Sequence, residues 1–211
     1  MQRLASGTVG IFNGWQYEQR EDSPSGVKPL GFHRTMKLIR LSPADAPEYR
    51  SLMLEAYSLH PEAFTSSATE RESLPLSWWE QRLSPGDGVN EVVFGCRCDD
   101  QLAGVAGLAF ERREKTRHKA TLFGMYVSAG FRNLGLGGKL VNHVLTYAKS
   151  RPGVLLVQLT VSDGNRAAQT LYERYGFVPF GCEPYAIAVG DAFVPKVHMW
   201  RKLSDQLPSQ G

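Results

Sequence analysis

The sequence predicts a mixed α/β (α+β) fold: a mostly antiparallel sheet with one parallel crossover, flanked by about four helices. Three observations carry this. Three β-rich runs between residues 92 and 127, separated by short polar turns, read as an antiparallel meander. Residues 122–149 then read as a strand, a glycine-bearing turn and a helix, on which Leu136, Leu140, Val144 and Ala148 recur every four residues. Residues 154–161 (VLLVQLTV) are almost wholly apolar, as a strand buried on both faces should be, and a parallel neighbour reached over a crossover helix satisfies that pattern.

The elements follow in order. Residues 1–35 show no sustained period and are rich in Gly, Ser, Gln and Pro, so a poorly ordered extension is expected there, with Phe12, Trp15, Tyr17 and Phe32 as candidate anchors. Met36 opens the folded portion, and 36–203 is expected to form one domain ahead of a short tail, 204–211. Residues 36–41 alternate as a short strand. Ser42-Pro43 opens a helix over about 44–57, which His60-Pro61 breaks. The polar stretch 66–75 reads as loop and 76–83 (LSWWEQRL) as a second short helix, stopped by the Ser84-Pro85-Gly86-Asp87-Gly88 turn. Strands at 92–97 and 102–110 are joined through Asp99-Asp100-Gln101, with a bulge expected at Gly104 or Gly107. A turn over 111–115 leads to the strand at 120–127. After the crossover, 165–175 is a helix ended by Gly176. Three late strands are expected at 177–180, 185–189 and 194–200, the last two joined at Gly190-Asp191.

Composition narrows the class of function. The formal charge of +3 is small for 211 residues, and the densest basic patch (Arg112, Arg113, Lys115, Arg117, His118, Lys119) sits where a solvated hairpin tip belongs, so no nucleic-acid partner is expected. Cys96, Cys98 and Cys182 are odd in number and unevenly spaced, which argues against a disulfide framework and a metal site. The sequence shows no apolar run of spanning length and no signal-peptide core. A cytoplasmic protein with no membrane partner, monomer or homodimer, is the expectation.

The chemistry concentrates at Arg132-Asn133-Leu134-Gly135-Leu136-Gly137-Gly138. Glycines at a helix start let a ligand approach the free backbone N–H groups, the helix dipole favours an anion there, and Arg132 adds a fixed positive charge. A phosphate or pyrophosphate site follows. A dinucleotide fingerprint would need its third glycine elsewhere, and Gly138-Lys139-Leu140 lacks the hydroxyl of a P-loop.

Arg132-x-x-Gly135-x-Gly137 resembles the acyl-CoA signature of the GNAT N-acetyltransferase superfamily. Asn165-x-x-Ala168-x-x-Leu171-Tyr172-x-x-x-Gly176-Phe177 resembles that superfamily's second landmark. The resemblance covers about 36–203. It implies a GNAT-like sheet, acetyl-CoA as co-substrate, no metal, and direct acetyl transfer to a primary amine of an unidentified small molecule or protein. It also implies that residues 132–138 hold the pyrophosphate. Met125, Tyr126 and Val127 would hold the pantetheine arm, with the Val127 N–H on the thioester carbonyl. Asn165 is an N-cap by its position, and the resemblance adds a bond to the cofactor arm beside Ala168. Tyr172 is the expected proton donor to the departing thiolate. Trp78 and Trp79 either line the acceptor cleft or pack the helix on the sheet. Glu70, Glu72, Glu80, Glu111, Glu114 and His118 are candidate general bases, and nothing in the sequence chooses among them. A non-catalytic acyl-CoA sensor and a transferase of a longer acyl group are the alternatives.

Overall fold

The computed structural model describes residues 34–85 and 90–203. The expectations for the N-terminal extension, the Gly86–Gly88 part of the turn and the 204–211 tail lie outside the described residues. In chain order the elements are β1 (Met36–Arg40), α1 (Ala46–Leu59), α2 (Ala68–Glu72), α3 (Leu76–Leu83), β2 (Glu91–Cys98), β3 (Gln101–Phe110), β4 (Lys119–Val127), α4 (Leu136–Ser150), β5 (Leu156–Ser162), α5 (Arg166–Arg174), β6 (Val178–Val189) and β7 (Ala192–Lys202). The strands form one sheet in the order β1-β2-β3-β4-β5-β7-β6. Only β4 and β5 run parallel, joined over α4, and every other neighbouring pair is antiparallel.

Each face of the sheet buries a different set of helices. On the back, Leu136, Leu140, Val141, Val144, Leu145 and Ala148 of α4 are buried against Phe94, Ala106, Leu108, Leu122, Val157 and Leu159 of the strands. On the front, Tyr49, Leu52, Met53 and Ala56 of α1 join Trp79 and Leu83 of α3 over Val93, Val105 and Tyr126. This front cluster stops at β4. The front of β5, β7 and β6 carries no member of it, and Thr160 and Trp200 are exposed there. Among the described residues, one half of the front face is therefore covered by α1 and α3, and the other half meets the 61–63 turn, where Ser162 Oγ donates to the Glu62 carbonyl.

The β2–β3 hairpin is as tight as its acidic pair suggested: Asp99 and Asp100 both adopt positive φ (49° and 64°), the two-residue turn that matches strand twist. The irregularity expected near Gly104 is present, with Ala103 as the extra residue of β3 against β2. Gly176 closes α5 at φ 76°, with the Phe177 N–H bonded to the Tyr172 carbonyl. Gly176→Ala should cost about 1 kcal/mol through the left-handed backbone, read as a lower urea midpoint at unchanged slope.

Two expectations need correction. The stretch 66–75 is not plain loop, because α2 forms within it. Ser67 Oγ accepts from the Glu70 N–H while Glu70 Oε2 accepts from the Ser67 N–H, a capping box that starts a helix with no apolar period to announce it. The late strands number two rather than three. Residues 177–180 and 185–189 belong to one long strand, β6, whose register slips between Pro179 and Gly181 and between Glu183 and Ile187. Pro and Gly there bend the strand without ending it, since β6 is an edge strand with one ladder to satisfy.

Candidate active site

The site begins where the sheet comes apart. β4 and β5 pair only at Lys119↔Leu156, Ala120↔Val157 and Thr121↔Gln158, although β5 stays paired to β7 as far as Ser162. The cause lies in β4, where Gly124 and Met125 together oppose the single residue Ala106. Gly124 sits at φ 57°, which a residue with a Cβ takes only under strain. Such a bulge bends its strand, and here the bend carries residues 122–127 away from β5. The peptide groups left facing the gap can be named. The Ser128 N–H turns to β3 and meets the Ala103 carbonyl at 3.0 Å. The Val127 carbonyl is bonded from the other side, by Arg132 Nε at 3.2 Å. By the alternation of an extended strand, the peptide groups of Val127 and Met125 face the gap and those of Tyr126 face β3.

The turn after β4 supplies the anion-binding geometry. Asn133 (φ 63°) and Gly135 (φ 77°) are both left-handed, which reverses the chain sharply into α4. Gly135 is the N-cap and offers no side chain to the first-turn N–H groups, and the first turn carries no acidic residue. Leu136 is buried and anchors the helix start on the core, while Leu134 stays exposed. The next two glycines have a packing reason as well. A Cβ on Gly138 would lie 2.7 Å from the Tyr175 hydroxyl, and one on Gly137 would lie 3.2 Å from Leu171. Arg132 does not reach toward the helix start. It bonds Val127, places an amino group 2.9 Å from His60 Nε2, and lies over the Tyr126 ring.

Helix α5 forms the far wall of the gap. Asn165 Oδ1 accepts from the Ala168 N–H at 3.1 Å, so its side-chain carbonyl serves as the helix cap. Two turns on, Tyr172 is 7% exposed, its ring edge-on to Phe177 at 5.8 Å. Its hydroxyl donates to Met125 Sδ at 3.5 Å, a polar contact from α5 across to the bulge of β4. Burial alone pushes the Tyr172 pKa well above that of a free phenol, so the hydroxyl stays protonated at every physiological pH.

Residues 53–177 match the Acetyltransferase (GNAT) family. The chain belongs to this family. The [ribosomal protein bS18]-alanine N-acetyltransferase of Salmonella typhimurium is 31% identical over 108 residues, 51% of this chain and 69% of that one. The L-amino acid N-acetyltransferase AaaT of Escherichia coli is 27% identical over 124 residues, 58% of this chain and 74% of that one. Among solved structures, yncA from Salmonella typhimurium, with its cofactor acetyl-CoA, superposes with a TM-score of 0.68 at 19% identity, over 83% of this chain and 98% of that one. At that identity the likeness establishes the fold. This GNAT chain is an acyltransferase by family.

The GNAT front face holds residues the sequence did not single out. Glu55 on α1 accepts from the Tyr126 hydroxyl (2.8 Å) and from Ser128 Oγ (2.9 Å), which fixes the end of β4 from the front. His60, just beyond α1, links Arg132 to Glu62. Neither carries a motif, and only the fold brings them to β4. The structure does sort the proposed bases. Glu111, Glu114 and His118 lie before β4 begins, about 20 Å of strand from Met125, at the wrong end for the gap. Glu70 is engaged in its capping box. Trp79 is fully buried, whereas Trp78 is half-buried at the edge of the front cluster, beside Tyr57, Phe64 and Phe123. Among the described residues no group of three His, Cys, Asp or Glu side chains is placed to hold a metal, and no helix is long and apolar enough to cross a membrane.

Proposed function

We propose that this GNAT domain binds acetyl-CoA in the gap between β4 and β5 and transfers its acetyl group directly to a primary amine. The observation that carries the reading is the Tyr172 hydroxyl set against Met125 across the gap, beside an uncapped glycine-bearing helix start. The N–H groups of residues 135–138 take the pyrophosphate, and Arg132 swings from Val127 and His60 to join them on binding. The pantetheine amides pair with the gap-facing peptide groups of Met125 and Val127 as an added strand would, while Tyr126 between them stays paired to β3. Asn165 caps α5 through its carbonyl and keeps its amide for the cofactor arm.

The reaction then follows from the groups around the thioester. The neutral amine attacks the carbonyl carbon, and the Val127 N–H bonds the oxygen as charge gathers on it. The carbon–sulfur bond breaks as the tetrahedral intermediate collapses. The sulfur leaves with the electron pair and takes the Tyr172 proton, giving CoA thiol and the N-acetyl product. The ammonium gives one proton to water before attack, and the second leaves the nitrogen of the tetrahedral intermediate and returns through water to Tyr172.

A thiol-release assay over a panel of amines and peptides, with acetyl-CoA binding followed by calorimetry, tests this. Binding together with amine-dependent thiol release is the expected result. Tight binding with no release on any amine would mark a sensor instead, and no binding would overturn both. In the same calorimetry Arg132→Glu should weaken acetyl-CoA binding by about tenfold or more, the scale of one charged hydrogen bond.

A further inference from the structure

The helix-covered half of the front face ends in a ladder of aromatic and guanidinium groups that starts at the bulge of β4. Phe123, the residue before Gly124, lies under the Arg82 guanidinium at 4.8 Å. Arg82 also lies 5.4 Å from the Trp78 ring, and on that same ring sits Arg71, at 4.6 Å. The capping box of α2 is what sets Arg71 there. Tyr57 and Phe64 meet edge-to-face at 5.0 Å beside it. Burial raises the pKa of the Tyr57 hydroxyl, and the charges of both Arg71 and Arg82 pull it back, so the three polar ends share one space.

The two arginines differ in one respect. Arg82 has its acid, Glu91 Oε2 at 3.1 Å. No carboxylate lies within ion-pair distance of Arg71 among the described residues, and its one hydrogen bond goes to a neutral hydroxyl, Ser66 Oγ at 2.7 Å. Its Nε is fully buried and bonded to nothing. A guanidinium left in that condition carries a charge with no counter-ion, and a carboxylate meeting its outer amino groups is the group that offsets it.

We infer that the acceptor is a small amino acid whose carboxylate binds Arg71, whose apolar side chain lies among Tyr57, Phe64, Trp78 and Phe123, and whose amine points past Phe123 to the thioester. This rests on the acetyl-transfer reading above. It separates a free amino acid from a peptide N-terminus, because a peptide has an amide where the carboxylate would be.

The front face holds a rival cation. Lys196 on β7 is 7% exposed and pairs in register with Ser162, whose hydroxyl donates to the Glu62 carbonyl, so both face front. Glu183 faces it from β6, beyond ion-pair distance. Steady-state thiol release with L-leucine and L-methionine against their carboxamides decides the matter, in wild type, Arg71→Met, Arg71→Lys and Lys196→Met. Wild type should prefer the free acids, and Arg71→Met should raise their KM about tenfold to hundredfold and erase that preference, with acetyl-CoA binding unchanged. Arg71→Lys, which keeps the charge but not the fork, should retain part of the preference, and Lys196→Met all of it.

Equal use of acids and carboxamides by wild type would overturn the acceptor assignment while leaving acetyl transfer intact. Loss of the preference in Lys196→Met alone would move the carboxylate away from Arg71. An Arg71→Met chain that no longer binds acetyl-CoA has not folded, and Arg71→Lys then decides. Absence of thiol release with every amine would sink the transferase reading and the acceptor with it.

Discussion

Tyr172→Phe should lower kcat by about 10²- to 10⁴-fold, the range for losing a positioned general acid, while acetyl-CoA affinity changes by less than about twofold. The split between the two is the diagnostic. The ring fills the core beside Phe177 in either residue, so the helix wall and the gap should keep their shape. What is lost is one proton donor facing the gap, held by the weak acceptor Met125 Sδ. Because burial raises the Tyr172 pKa, the alkaline limb of the wild-type pH–rate profile should not report its ionisation. Rapid-quench or stopped-flow thiol release, compared with calorimetric binding, measures both halves. Equal turnover in the mutant would remove Tyr172 from the chemistry.

Trp79→Ala should give the largest loss of stability, about 3–5 kcal/mol, from the cavity left by a fully buried indole. Trp79 meets Tyr49 edge-to-face at 5.6 Å and Trp78 at 5.1 Å, so it ties α3 to α1 and to the half-buried residue at the cleft edge. A melting temperature lower by about 10 °C or more follows for a chain of this size. Trp79→Phe should cost well under half as much. It keeps most of the ring and removes an indole N–H that finds no partner among the described residues. Because Trp78 leans on Trp79, the alanine variant should raise acceptor KM at temperatures where it is still folded. Calorimetric melting paired with acceptor kinetics reads both effects, and a melting shift of only 1–2 °C would refute the packing account.

Some of this molecule was legible residue by residue. The stripe Leu136, Leu140, Val144, Ala148 foretold the buried face of α4, and Gly176 foretold the end of α5. The glycine pattern at 135–138 foretold an uncapped helix start. The capping box of α2 was also present in the letters, as Ser67 and Glu70, but two polar residues without an apolar period read as loop. The single β6 was hidden for a related reason. Its proline and glycine are breakers in a central strand and tolerable at an edge, and edge position belongs to the sheet, not to the segment.

Local periodicity, turn chemistry and two spaced motifs were enough for most of the elements, their order and the family, because each rests on neighbours within a few residues. The proposed acceptor site rests on the tertiary structure alone. Phe123, Arg71, Trp78 and Arg82 come from three elements, and the unpaired state of Arg71 is a fact about distances to acids elsewhere in the chain. The gap itself depends on a bulge at Gly124–Met125 that exists only relative to β3. Burial and pairing are relations between distant residues, and no window of sequence contains them.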